Sequence, residues 1–390
     1  MKPELLSPCH DFATLRAAVE SGADAVYFGV KGFNMRAKAG NFELNELKRV
    51  VSYCHENRVR AYLATNVVVY EDELGRVKKL LGEARKAGVD AVIVHDLGVL
   101  RLAVELGLDV HISTQANTTN SIGADTYAEL GASRVILSRE LLLEQVRRLA
   151  ANTKIDVEVF IHGAMCVSIS GRCFLSQAIY GANANLGECY QPCRQEWFVS
   201  NSDGELIYDG ERFLNSKDLC MIEYVPELLD SGVKAFKIEG RMRDADYVST
   251  VTSVYREAID DFNKEKVPVW KDALKSVFNR GYCTGFYYGE PEESGLGSNQ
   301  STTRKVQAGI VSNYYKKVGA AELELTAAGL SLGDEVIIES KKVFLKQRVE
   351  SLEINHEKVE HASKGERVGL KTVKPVKQGA IIYKLETIKK

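Results

Sequence analysis

Four of the chain's eight cysteines, Cys166, Cys173, Cys189 and Cys193, fall within one short stretch, EVFIHGAMCVSISGRCFLSQAIYGANANLGECYQPCR, and a fifth, Cys220, follows in NSKDLC. Thiolates gathered by one locally folded loop are the donor set of a four-iron, four-sulfur cluster or of a structural Zn²⁺. Six residues separate Cys166 from Cys173, fifteen separate Cys173 from Cys189, and three separate Cys189 from Cys193. These gaps are wider than the two-residue CxxC of a zinc knuckle, which favours the cluster over zinc. A radical-type CxxxCxxC loop fails, because Glu196 stands where the third cysteine would be. Residue types alone leave open whether Cys193 or Cys220 completes the set. Cys9, Cys54 and Cys283 are scattered, and Cys54, on a helix, reads as core packing.

A second group with chemistry in it is KIEGRMR, in which Lys237, Glu239 and Arg241 alternate and therefore share one face of a strand. If that face points into a cavity, two cations with Glu239 as orienter could hold a carboxylate; otherwise they form an internal ion-pair network. His162, Lys237 and Glu239 are the candidate catalytic residues, with a strand-capping or ligand-orienting role as the alternative for His162. Hydrolytic arrangements are poorly supported. Ser176, His162 and Asp218, or Cys166 with His162, could be assembled on paper, but no GxSxG elbow and no HExxH is present.

The elements that must position these groups alternate strand and helix from the start. Eight apolar runs, PELLSPC, ADAVYFGV, RAYLATNVVV, DAVIVHD, DVHISTQ, SRVILSRE, DVEVFIHG and VKAFKIEGRM, are each followed by a helical or loop segment. Continuous apolar strands indicate a parallel sheet buried on both faces. Eight β-then-α units predict a modified (β/α)8 TIM-like barrel over residues 1–265, with a Cys-rich insertion at 164–232 between strands seven and eight. Neither GxGxxG nor Walker A appears, so an open nucleotide-binding sheet lacks its signature. The Cys-rich stretch starts as a strand and then shows no helical pattern for some twenty residues. An excursion of that length implies that something holds it.

In such barrels the carboxyl ends of the strands line the site. Those ends supply Cys9 and His10, Asn34 and Arg36, Thr65 and Asn66, His95 and Asp96, Thr114 and Gln115, Arg139 and Glu140, then His162, Lys237, Glu239 and Arg241. Together they describe a polar bowl with several cations, suited to an anionic small molecule. Residues 266–300 form an aromatic, Gly-rich connector, and short alternating strands over 301–390 predict a small all-β barrel. Residues 301–390 carry 17 Lys and Arg against 11 Asp and Glu, although the whole chain is at −2, so a polyanion could meet this end. With 45% hydrophobic and 27% charged residues the composition is that of a globular protein. No apolar run reaches the length of a membrane span and no leader is apparent, so a cytoplasmic setting with reduced thiols is expected.

EVFIHGAMCVSISGRCFLS is similar to the signature of the peptidase U32 family at Glu158, Phe160, Gly163, Ala164, Met165, Cys166, Gly171, Cys173, Leu175 and Ser176. GECYQPCR, NSKDLCMIEYVPELLDSGVKAFKIEGRMR and FNRGYCTGFYYG resemble further blocks of that family, so the likeness covers about residues 1–290. Residues 301–390 resemble the second domain of elongation factor Tu. The resemblance implies a modified (β/α)8 barrel and one of two activities. Some members are collagenase-like peptidases. Others look like oxygen-independent hydroxylation factors for tRNA, ribosomal RNA or the ubiquinone ring, associated with a four-iron, four-sulfur (4Fe-4S) cluster and with prephenate as hydroxyl source. It implies Cys166, Cys173, Cys189 and Cys220 as cluster ligands, with Cys193 as a substitute. The expected reading is an iron–sulfur enzyme that hydroxylates a tRNA base with a prephenate-like donor. Arg36, Asn66, Gln115 and Arg241 would bind the small dicarboxylate, and the basic C-terminal domain would face RNA, in a homodimer or with a partner protein. The alternatives are a collagenase-like peptidase and a Zn-stabilised binding module.

Overall fold

The computed structural model describes residues 2–35, 40–212, 214–290 and 299–388, with the side chains of 208–211 outside the description. Arg36 therefore lies outside the described residues. Seven strands alternate with helices from the N-terminus: β1 (Glu4–Pro8), α1 (Phe12–Glu20), β2 (Ala25–Phe28), α2 (Leu47–Glu56), β3 (Arg60–Thr65), α3 (Leu74–Ala87) and β4 (Ala91–Val94). Then come α4 (Leu97–Glu105), β5 (Val110–Ile112), α5 (Ser121–Glu129), β6 (Arg134–Ile136), α6 (Leu143–Asn152) and β7 (Asp156–Ala164). Helices α1, α4 and α5 start at side-chain caps, Asp11, Asp96 and Asn120; Asp11 accepts from the Thr14 amide at 2.8 Å.

The insertion after β7 holds α7 (Leu175–Tyr180), the hairpin β8 (Trp197–Ser200) and β9 (Leu206–Glu211), β10 (Asp218–Cys220) and α8 (Val225–Leu229). The chain then returns through β11 (Ala235–Ile238) and α9 (Ala245–Asp260). Strands β1 to β7 pair in sequence order, all parallel, and β11 pairs in parallel with both β7 and β1, which closes an eight-stranded barrel. The insertion is less irregular than its sequence suggests. Among the described residues it contains two short helices, α7 and α8, and β10 pairs antiparallel with the end of β7.

An ion network crosses the barrel interior. Glu4 accepts from Arg134 at 2.7 Å, Arg134 reaches Glu158 at 3.2 Å, and Glu158 accepts from Lys237 at 2.9 Å. The Tyr62 hydroxyl donates to Glu4 at 2.9 Å. Charges alternate along this chain and each is hydrogen-bonded, the condition under which buried ions are tolerated.

Residues 266–290 are not only a connector, since α10 (Val267–Ser276) packs on α9, where Trp270 Nε1 donates to Glu257 at 3.0 Å, and β12 (Tyr282–Cys283) pairs with β10. Beyond them lies an eight-stranded antiparallel sheet with its own core, including Val311, Leu323, Val336, Leu370 and Ile382. The stretch KQRVESLEIN ends one strand, Val343–Arg348, and supplies the next, Leu352–Ile354. This domain seats Ile337 and Phe344 in the barrel's core cluster. Three of its lysines pair with barrel carboxylates: Lys305 with Asp244 at 2.8 Å, Lys346 with Asp246 at 2.9 Å and Lys374 with Glu20 at 2.7 Å. Part of the positive charge that sequence reading assigns to a polyanion is thus used to dock the domain. Among the described residues no helix is long and apolar enough to cross a membrane.

Candidate functional site

The carboxyl ends of the barrel strands open into two adjoining cavities. The outer one, of about 110 Å³, is lined by the insertion, with Cys166, Cys173, Cys189 and Cys193 all on its wall. The inner one, of about 30 Å³, is the barrel mouth, where Asn66, Gln115, Arg139, Lys237, Glu239 and Arg241 meet. Met35, Thr114, Gln115 and Arg139 line both.

The turn that launches the insertion requires glycine at position 163. Gly163 has φ +106°, and a Cβ there would stand 2.4 Å from the carbonyl oxygen of Glu239. The first cysteine-bearing segment is thereby pressed against the end of β11. Ser170 and Gln191, both on the outer cavity, and Asn117, whose side chain accepts from Ser170 Oγ at 2.9 Å, have φ of 48°, 54° and 55°. Left-handed backbone at non-glycine residues is costly, and its concentration here marks a segment that its surroundings over-determine. Glu140 takes the Ser170 amide at 2.8 Å, and Arg194 anchors the last turn by donating to Asn215 at 2.7 Å, to the Ser216 carbonyl at 2.8 Å and to the Met165 carbonyl.

The four thiols on this cavity differ in exposure: Cys166 is exposed, Cys173 and Cys189 are half-buried, and Cys193 is buried. Cys173 Sγ accepts the Leu175 amide at 3.3 Å. Burial pushes the Cys193 thiol up; the adjacent Arg194 opposes this, and Cys166, Cys189 and Cys173 add to it. Among the described residues no three His, Cys, Asp or Glu side chains stand close enough to share one metal ion. The donor set is nevertheless all sulfur, arranged around a volume.

Cys220, which the family resemblance places among the ligands, lies elsewhere. On β10 it faces Tyr255, whose hydroxyl is 3.9 Å from its sulfur, and burial raises its thiol to about 11. Cys193 occupies the cavity wall instead.

His162 is displaced from the site for a reason visible in the strand pairing. Between β7 and β11 the register slips: Lys237 pairs with Phe160 but Ile238 pairs with His162, so two residues on one strand oppose one on the other. Such a bulge re-aims the side chains beyond it. Phe160 stays on the mouth with Lys237, while His162 turns outward among Tyr247, Tyr255 and Tyr282. Its Nδ1 lies 3.3 Å from the Tyr255 hydroxyl, its Nε2 has no hydrogen-bond partner among the described residues, and burial drops its pKa to about 3. A neutral imidazole on neither cavity is not placed for acid–base catalysis. It packs the insertion's root against α9.

The alternation in KIEGRMR does bring Lys237, Glu239 and Arg241 to one face, and that face is the mouth. Lys237 takes the ion-pair alternative, closing the interior network through Glu158, while its ammonium lies 4.4 Å from the centroid of the Tyr27 ring on the floor of the mouth. Burial holds its pKa down, and Glu158 partly offsets this. Arg241 is buried, donating to Asn34 at 3.3 Å. Asn66 is fixed by donating to Gln115 at 3.0 Å and to Ser113 at 3.2 Å. Arg139, a strand-end residue outside the candidate set, is stacked 4.0 Å over Phe160 and donates to the Ala164 carbonyl at 2.5 Å. It stands between the thiols and the mouth. Arg194, on the wall of the outer cavity, is a residue that sequence reasoning missed; its only signal was adjacency to Cys193.

Residues 10–296 match the model of peptidase family U32. The chain belongs to that family. It is 47% identical to an uncharacterized protease of Methanocaldococcus jannaschii over 99% of both chains. It is 33% identical to a collagenase of Porphyromonas gingivalis over 98% of both. It is also 34% identical to tRNA hydroxylation protein P1 of Bacillus subtilis, over 80% of this chain and 78% of that one. The chain is therefore similar over most of its length to relatives named for two different chemistries.

Proposed function

We propose that this U32 protein is an iron–sulfur enzyme of RNA hydroxylation, acting on a tRNA base with a prephenate-like dicarboxylate as hydroxyl source. The observation that carries the reading is the shared wall: four thiols surround one cavity, and Arg139 and Gln115 join it to a mouth that also carries Lys237 and Arg241. Cys166, Cys173, Cys189 and Cys193 would hold a four-iron, four-sulfur cluster. A cavity of about 110 Å³ suits a polyatomic cluster, whose thiolates sit on different irons, better than a single zinc ion drawing four sulfurs to about 2.3 Å. When bound, such a cluster supplies one-electron redox chemistry.

The chain's own residues supply recognition. Arg139 and Arg241 offer planar guanidinium forks for the two carboxylates, and Lys237 keeps N–H donors beyond the one it gives Glu158. The Asn66 and Gln115 amides, locked to each other, orient the ligand, and Glu239 excludes anions presented in the wrong register.

The test is chemical analysis of protein purified without oxygen. About four irons and matching sulfide per chain are expected, lost in Cys193→Ser and retained in Cys220→Ser. A colourless, iron-free wild-type protein ends the reading. Loss of a hydroxylated nucleoside from the tRNA of a deletion strain, read by mass spectrometry, tests the substrate. A peptidase reading is favoured by the collagenase-named relative that spans the full length. The site gives it little support, since His162 is enclosed by tyrosines and Ser176 Oγ accepts the Tyr190 amide at 3.1 Å. Gelatin cleavage abolished by Cys166→Ser would establish it.

A further inference from the structure

Outside the site, a second cavity lies between the barrel and the C-terminal domain. It is a cleft of about 440 Å³ bordered by Met242, Arg243, Phe278, Ser301, Arg304 and Lys305. Met242 lines this cleft and the cysteine cavity alike, so one side chain borders both.

The cations of the cleft are not equivalent. Arg304 is matched by Glu386 at 2.9 Å, and Lys305 by Asp244 at 2.8 Å and Glu339 at 3.1 Å. Arg243 lies flat on Phe278, 3.6 Å from the ring centroid, and among the described residues its guanidinium donates no hydrogen bond and pairs with no carboxylate. The nearby Asp218 is taken by Arg280 at 3.2 Å. Stacking has fixed the fork in place and left its donors unused. A half-buried, pre-oriented guanidinium without an anion is incomplete, because charge removed from water needs a partner.

We propose that this interdomain cleft is the entry track for the RNA strand, with Arg243 binding a backbone phosphate of the nucleotide next to the one presented to the thiol-lined cavity. The inference rests on the RNA-hydroxylase reading given above. An enzyme that acts on a base must hold it out of its stack, which requires phosphate contacts beside the reactive centre. The guanidinium on its phenyl platform, one methionine away from the cysteines, meets that requirement. The paired Arg304 and Lys305 then serve to hold the second wall of the track in place.

The experiment measures binding of bulk tRNA to the full chain by fluorescence anisotropy over a salt series. Arg243→Met keeps the stem on Phe278 and removes the charge. It should weaken binding about tenfold and lower the log–log salt slope by about one, with iron content and unfolding midpoint unchanged. Arg243→Lys, which keeps charge but not the fork, should fall between. Wild-type protein is also photo-cross-linked to 4-thiouridine-bearing tRNA, with cross-links expected in peptides containing Met242, Phe278 or Ser301. Wild-type affinity and slope in both variants, or cross-links confined to other surfaces, overturn the track while leaving the RNA reading in place. Absence of tRNA binding by the wild type overturns both.

Discussion

Replacing His162 by phenylalanine should flatten the acid side of the stability profile. The imidazole is fully buried among Tyr247, Tyr255 and Tyr282, and burial holds its pKa near about 3, while in the unfolded chain it titrates near about 6.5. Because the folded value is the lower one, the unfolded state binds the proton first. The stability that neutral His162 contributes is complete above pH about 6.5 and is lost as the pH falls towards about 3. The loss amounts to about 1.4 kcal/mol per pH unit, hence about 2 kcal/mol by pH 5. The ring is almost inaccessible, so screening by solvent does not reduce this figure. His10, His95 and His111 are also held low by burial, so the wild-type slope alone is a composite. The difference between wild type and His162→Phe isolates one proton. Urea unfolding at half-unit steps between pH 5 and 7, followed by tryptophan fluorescence, should give profiles that converge towards acid. Parallel profiles would refute the reasoning, since they require protons or a carboxylate to reach the ring in the folded state. Activity follows separately: if His162 were the catalytic base, His162→Phe would abolish turnover at every pH, whereas a packing role leaves turnover in the folded fraction.

Glu158→Ala leaves Lys237 and Arg134 buried without their shared anion and should cost about 3–5 kcal/mol, measured by the shift of the urea midpoint. Adding Lys237→Met to Glu158→Ala removes one stranded charge and should recover part of that loss; no recovery would mean that the network is not electrostatically coupled. Gly163→Ala forces a Cβ towards the Glu239 carbonyl at a positive φ and should destabilise by about 2–3 kcal/mol. It should also lower the iron bound per folded chain, because the segment bearing Cys166 is displaced. Iron content equal to wild type would show that the turn does not position the thiols.

Much of the architecture was written in the chain. Eight buried apolar runs separated by helical segments predict a closed parallel barrel, because a strand covered on both faces carries no polar alternation. The period of two was enough to put Lys237, Glu239 and Arg241 on one face, and the carboxyl-end rule put that face at the mouth. The crowding of cysteines between β7 and β11 was likewise plain. Other features depend on distances that no local pattern encodes. His162 was assigned to the site because it ends a barrel strand, but the side on which it emerges is set by a bulge, and a bulge is counted against the partner strand. Cys193 rather than Cys220 reaches the thiol-lined cavity because β10 folds back antiparallel on β7 and carries Cys220 to the Tyr255 hydroxyl. Lys237 is tied to Glu158, 79 residues earlier, and three lysines of the C-terminal domain are tied to Asp244, Asp246 and Glu20. Composition records how many charges a chain has; only its tertiary structure decides which of them neutralise one another and which remain for a ligand.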